Sequence, residues 1–427
     1  MLPSIRLNVN TFAITGIILF AIGALQFPAL ASASLWLLTI GMIISSPQVT
    51  KHLIYSPPVI LWLAFFLFTL IGLLLYWPAA QRIANIDAAR RLLGLWWFIP
   101  LAWWIGVNEK RVLFCLTTAA IAFVFERLIV TDWTTPLAII SGERIRLGFS
   151  SINHFAQYTA TLLIGLLCLM PRVWQYTAHW QRARRIFILA IYSALMIISA
   201  YWLVASQSRG VWVAFTVTLF IIGSVVVIRY GRRVLWRGLL LGMICVAGIS
   251  FAVGDFVIKR FNSDAATLVY LQSHQPHVLP NNSTGIRLNM LESGWKWWQQ
   301  APLVGHGPAA VASLIAREPA PLSEQPYKHL HNVLIDTLVR VGLIGAVLLQ
   351  SLFVWVLLAA WQGYQHGQIK FDLWLFSSAA LIFSFLCNLT DLRLFGWDWQ
   401  NYWILLAGIA AGPTLSAFRQ RSTSIAQ

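Results

Sequence analysis

Apolar runs close to the ~20 residues a helix needs to cross a bilayer recur through most of this chain, and they constrain its fold more than any other feature. The runs are continuous rather than alternating, so they read as helices and not as the strands of a barrel. Twelve candidate spans fall near residues 11–27, 29–46, 56–77, 92–107, 110–131, 151–170, 185–205, 210–228, 234–257, 331–361, 372–390 and 396–417. The fourth is short, and the tenth is long enough to tilt or to extend out of the bilayer. Only 10% of the 427 residues are charged, against roughly 25% in soluble domains. The expectation is an all-α polytopic membrane protein of about 12 transmembrane helices. The first run, Phe12 to Gln26, precedes "ALASAS", whose Ala29 and Ala31 mimic a signal-peptidase site. The flank holds only Arg6 and a second run begins at once, which favours a retained helix.

A net charge of +16 would suggest nucleic acid for a soluble protein, but the positions of the charges matter more than their sum. Arg172, Arg182, Arg184 and Arg185 crowd one short link and Arg229, Arg232, Arg233 and Arg237 another, with no acid in either. The positive-inside rule makes both links cytoplasmic. Twelve crossings then put both termini inside, in agreement with Arg6, Arg419 and Arg421. The basic excess is a topology signal, and no nucleic-acid partner is expected. Cys115, Cys168, Cys245 and Cys387 lie inside apolar runs without metal-ligand spacing, so they read as buried thiols.

The same topology sends one sizeable segment outside, residues 258–330, between nine helices in 1–257 and three in 331–427. A connection this long is functional or disordered. "GIRLNMLESGWKWWQQ" places Ile286, Met290 and Trp297 among polar residues, which suggests an amphipathic helix on the membrane face. "SHQPHVLPNNSTG", from Ser273 to Gly285, reads as a flexible, turn-rich lid.

Polar groups gather against apolar runs at several outer places. "SQSRG" holds Arg209 between serines, a glycine and a helix start, a combination suited to an anion. An arginine snorkelling to headgroups is the competing reading. Arg287 lies in the external segment, and in "PLVGHGP" two glycines flank His306, allowing close backbone approach. "KHLHN" brings Lys328, His329, His331 and Asn332 to the start of the tenth run. Histidines two apart diverge on a helix and no carboxylate-rich or cysteine-rich partner lies close in sequence, so metal binding is not expected. His331 is left for acid or base work. Asp336 and Arg340, four apart, are expected to pair with each other. "SGERIRLGFSSINHFAQY" adds Arg144, Arg146, Asn153 and His154 at the border of a cavity or as interfacial caps.

In this order and spacing, "SRG", "GIRLNM", "PLVGHG" and "HNVLIDTLVRVGLIG" resemble the O-antigen ligase and polymerase superfamily of bacterial inner membranes. The motifs cover roughly Gly148 to Gly345. The resemblance implies a GT-C-like glycosyltransferase architecture with one large periplasmic loop and a periplasmic active site. It implies transfer of a glycan from undecaprenyl diphosphate without metal or other cofactor. The acceptor is the lipid A-core oligosaccharide in ligases, another lipid-linked repeat in polymerases, and a protein hydroxyl in related oligosaccharyltransferases.

By the resemblance Arg209 and Arg287 hold the donor diphosphate, and His331 is the essential histidine of an H-[NS]-x-x-L element. Here that element reads His331, Asn332, Val333, Leu334 and then Ile335. Lys328, His329, Asn332, Arg146 and His306 are candidate supporting residues. The partners implied are the lipid-linked donor, the lipid A-core acceptor and membrane lipids. A transporter, the alternative of a different class, would spread its cations through several spans.

Overall fold

A computed structural model describes residues 9–45, 53–130, 145–149, 151–231, 283–320, 322–324 and 327–425, and among them no strand occurs. The ninth run (234–257), Cys245, Arg144, Arg232, Arg233, Arg237 and most of the expected lid lie outside the described residues. In chain order the helices are α1 (Val9–Gly23), α2 (Pro28–Ser45), α3 (Pro57–Ile71), α4 (Arg82–Leu93), α5 (Phe98–Ile105), α6 (Glu109–Val130) and α7 (Ile152–Thr177). They continue as α8 (Arg182–Ala205), α9 (Arg209–Tyr230), α10 (Ser283–Gln300), α11 (Ala310–Ile315), α12 (Val333–Gln365), α13 (Phe371–Asn388) and α14 (Trp397–Ile425).

Among the described residues seven helices are long and apolar enough to cross a membrane: α3 with its π-turn to Tyr76, α6, α7, α8, α9, α12 and α13. The polytopic, all-helical expectation therefore holds for the described residues. The fourth run differs from a simple span. Its α-helical part is the eight-residue α5, every residue buried, and it is entered through the 3-10 turn Gly94–Trp97 and the polar α4. Its place inside the bundle explains this, for α5 packs along α14 more closely than along any other helix. The approach depends on small residues in α14: a Cβ on Gly412 would lie 2.9 Å from the Gly106 carbonyl oxygen.

The described part of residues 258–330 packs with the start of α12 around a small core. Met290 is fully buried and Trp297 nearly so, packed with Val311, Ile315, Leu322, Leu330 and Val339. This corrects the expected membrane-facing stripe on α10. The stripe is consumed by α11 and the start of α12, because the returning chain offers it apolar partners. His306 lies in the link that makes this return.

α12 is broken at Gly342, where φ is +63° and ψ −171°. A break in a helix frees backbone groups that must be satisfied elsewhere. The link 302–307 supplies them: Leu343 and Ile344 donate N–H to the carbonyls of Pro302 (2.8 Å) and Leu303 (3.2 Å). In return His306 and Gly307 donate to the carbonyls of Val339 and Arg340, each at 2.9 Å. Gly305, at φ +67°, crosses so near that a Cβ there would stand 2.5 Å from the Gly342 nitrogen. The two glycines around His306 thus serve the close backbone approach expected of them.

At one end of the bundle, Arg172 on α7 forks onto Asp372 of α13 and bonds Glu109 of α6, which Lys370 also meets at 3.2 Å. This network lies at the C-terminal end of α7 and the N-terminal end of α13. The opposite ends of those two helices frame the candidate site.

Candidate active site

A polar cavity of about 360 Å³ opens where several helix ends converge. Ser151 and Asn153 come from the start of α7, and Gln207, Ser208, Arg209 and Gly210 from the α8–α9 turn. Arg287 comes from α10, and Tyr327, His329 and His331 from the segment before α12. Thr390, Asp391 and Arg393 close it from the α13–α14 link. Arg209, Arg287 and His331, separated by up to 122 positions in sequence, therefore line one cavity. Three arginines face one carboxylate there, so the field favours an anion. Arg209 is also the first residue of α9, where the helix dipole adds to that preference.

Asn332 is the N-cap of α12, its side-chain oxygen accepting the N–H of Leu334 (3.0 Å) and Ile335 (3.1 Å). His331 precedes the helix in the left-handed region, at φ +54°. This conformation costs of order 1–3 kcal/mol for a residue with a Cβ and marks a position held by its surroundings. It also overturns the expectation that His329 and His331 diverge. They are not on a helix, and their rings meet edge to face at 4.2 Å, with Tyr327 against His331 at 4.6 Å.

His331 Nδ1 lies 2.9 Å from Asp391 Oδ1. The other carboxylate oxygen accepts from Asn153 Nδ2 at 2.8 Å and stands 3.5 Å from Arg393 Nε. Asn153 in turn accepts from the Ser208 hydroxyl at 2.7 Å. An ionised carboxylate can only accept, so Nδ1 of His331 donates to it, and in a neutral imidazole Nε2 is then the acceptor. Nε2 is buried and has no hydrogen-bond partner among the described residues.

Burial alone would raise the Asp391 pKa. The hydrogen bond from His331 and the Arg393 guanidinium, the largest opposing causes, outweigh it and hold the carboxyl well below its ordinary range. His329 is pushed down to about 4, first by burial and then by His331 beside it, so it is a neutral imidazole near pH 7.

His329, His331 and Asp391 place three metal-ligand atoms within 4.8 Å of one another. The carboxylate of this group is not visible beside the histidines in sequence, since Asp391 arrives from 60 residues further on. Both carboxylate oxygens are engaged by donors, and the cavity carries three guanidinium groups. That donor set suits proton handling beside an anion better than a divalent cation.

The supporting candidates divide. His329 lines the cavity; Arg146, Lys328, Asn332 and His306 do not. Arg146 and Lys328 are exposed, Asn332 caps α12, and His306 Nε2 meets the Trp297 carbonyl oxygen at 2.8 Å, fastening α10 to its return link. Asp336 and Arg340 form the expected pair and do more. Arg340 also donates to the carbonyls of Pro308 and Lys328 and lies 4.5 Å from the Phe395 ring centroid. Asp336 accepts the Leu330 N–H at 2.9 Å. Together they hold the segment that presents His331.

Sequence reasoning missed Asp391, Arg393 and Tyr327. "TDLRLFGWD" sets isolated charges between two apolar runs, which is the signature of a functional or paired site near a membrane. His154, singled out with Asn153, sits just outside the cavity lining and bonds Asp398 at 2.5 Å.

Residues 194–350 match the family model described as O-antigen ligase, which bears out the resemblance drawn from the motifs. The match includes Arg209, Arg287 and His331 and stops before Asp391 and Arg393. No curated protein matches the chain.

Proposed function

We propose that this membrane-embedded member of the O-antigen ligase superfamily transfers a glycan from undecaprenyl diphosphate to the lipid A-core oligosaccharide. The observation that carries the reading is the shared cavity: two arginines, Arg209 and Arg287, and His331 line the same polar space. In the proposed step the acceptor oxygen attacks the anomeric carbon as the glycosyl–phosphate bond breaks, and the bond pair leaves with the diphosphate. The arginines stabilise that growing charge, and more strongly in a site removed from bulk water. Nε2 of His331 takes the acceptor hydroxyl proton, and Asp391 stabilises the imidazolium that forms. Attack opposite the leaving group inverts the anomeric configuration. Arginines fill the role a divalent cation plays in other diphosphate chemistry, so the step needs no metal.

The lining residues sit at helix ends on one side of the bundle, which favours a surface reaction site over a transport path. The basic α7–α8 link and the Arg172 network lie at the other end of α7. This arrangement supports a periplasmic site, a GT-C-like layout and cytoplasmic termini in a multi-pass inner-membrane protein. A polymerase or a protein O-oligosaccharyltransferase of the same superfamily would use the same cavity with a different acceptor.

Purified protein in vesicles with lipid-linked donor and lipid A-core acceptor provides the test. His331→Ala and Arg209→Ala are expected to abolish transfer, and full transfer by both would refute the mechanism. In cells lacking the gene, unligated long glycan on the lipid carrier identifies a ligase, whereas single-repeat material identifies a polymerase.

A further inference from the structure

The α8–α9 turn contains an unusual choice of hydrogen bond. Ser208 occupies the N-cap of α9, yet its hydroxyl makes no capping bond. It donates instead to Asn153 Oδ1 on α7 at 2.7 Å. A serine cap contributes about 0.5–2 kcal/mol to a helix, so the cap is forgone for a bond to another element. Asn153 passes the connection on, its Nδ2 donating to Asp391 Oδ2 at 2.8 Å, while Asp391 Oδ1 holds His331 Nδ1 at 2.9 Å. One end of this chain is the residue next to Arg209 and the other is the candidate base. Ser208, Asn153 and Asp391 come from three separate elements, and Ser208 and Asp391 are 4% and 7% exposed. Bonds in such a setting polarise one another and fix orientation.

We infer that Asn153 is a positioning residue, which reads the Arg209 turn through Ser208 and locks Asp391 so that His331 keeps its proton on Nδ1 and its lone pair on Nε2. The inference rests on the reading of the cavity as a transfer site. With the Asn153 amide fixed by Ser208, only its N–H can face Asp391. Without it, the carboxylate loses the neutral donor that fixes its plane, and the tautomer of His331 is no longer imposed.

The titratable and charged groups around the His331–Asp391 pair come from several elements. His329 and Tyr327 share its segment, Arg393 shares the α13–α14 link, Arg209 and Arg287 line the cavity, and Asp336 with Arg340 underlies the segment. Loss of the Asn153 donor leaves more of the carboxylate charge to His331, which then holds its proton more tightly.

The experiment is steady-state transfer by the full-length protein in vesicles, across pH, with lipid-linked donor and lipid A-core acceptor. Asn153→Ala is expected to lower kcat roughly 10- to 100-fold, the range of a lost hydrogen bond to a charged group, with donor KM within about threefold. The acid limb of the pH profile moves to higher pH. Ser208→Ala, a smaller truncation that keeps the test open if Asn153→Ala fails to fold, shifts both readouts in the same direction by less. In an Asp391→Asn background, Asn153→Ala adds little, because the partner it positions is gone.

Wild-type kcat and pH profile in Asn153→Ala, or a loss that simply multiplies with that of Asp391→Asn, would overturn the inference. For a protein that does not yield folded Asn153→Ala, an unchanged Ser208→Ala overturns it equally. If His331→Ala and Arg209→Ala abolish transfer while these variants are silent, only the relay fails. Transfer by His331→Ala and Arg209→Ala would instead remove the reading on which it rests.

Discussion

Replacing Asp391 by asparagine changes one oxygen to an amide and removes one charge, with almost no change of shape. The carboxylate lies 2.9 Å from His331 Nδ1, which puts the centres of the two charges roughly 4 Å apart. A unit pair at about 4 Å and an effective dielectric of about 20 interacts by about 4 kcal/mol. Arg393 and Asn153 already draw on the same carboxylate, so part of that energy is shared. The expected loss is about 100- to 1000-fold in kcat, at 1.36 kcal/mol per factor of ten.

Two further signs accompany the loss in Asp391→Asn. Donor KM stays within about threefold, since Arg209 and Arg287 are untouched. The acid limb of the pH profile moves to lower pH, because His331 loses a negative neighbour and binds its proton less tightly. An amide can also turn its N–H toward Nδ1 and drive the proton to Nε2, which removes the base. The assay is vesicle-reconstituted transfer with lipid-linked donor, at matched amounts of folded protein. Activity within tenfold of the parent, or a loss confined to donor KM, would refute the assignment of Asp391 to His331.

Gly305→Ala should cost more than 2 kcal/mol, because its φ of +67° is strained for any Cβ and the clash is with the backbone of Gly342 and Arg340; a large fall in melting temperature checks it. Arg340→Met strands the buried Asp336 carboxylate and should destabilise by about 3–5 kcal/mol. Adding Asp336→Leu should recover part of that loss in the same melting experiment.

His329 makes stability depend on pH. Its folded pKa of about 4 lies below the ordinary 6.5, so the folded state is penalised as pH falls through that window. The penalty is absent above about pH 6.5 and reaches about 3 kcal/mol near pH 4, where Asp391 begins to contribute a loss of its own. His329→Gln should flatten thermal stability between those pH values; an unchanged slope would show that the histidine is not desolvated.

Local pattern made much of this readable. Helices that must satisfy their own backbone in lipid announce themselves as apolar runs, and the described spans fall where those runs are. Gly305 and Gly307 were legible as a close approach because only glycine tolerates one. Asp336 and Arg340 were legible because i, i+4 residues share a helical face. α10 was legible as an amphipathic helix, but its apolar stripe carries no label for what covers it. Lipid and the Val311–Leu330 core are equally apolar, and only the path of the returning chain chose between them.

The site divides along the same line. By itself the sequence determined that cations and histidines stand at span ends, where insertion cost permits them. Tertiary structure alone decided that Arg209, Arg287 and His331 share a cavity. It also decided that Asp391, rather than any residue near His331 in the chain, sets the histidine's tautomer, and that His329 turns back onto His331. The reason is that helix ends remote in sequence meet only through packing, and one left-handed residue at 331, stabilised by that packing, redirects two rings which helical periodicity would have set apart.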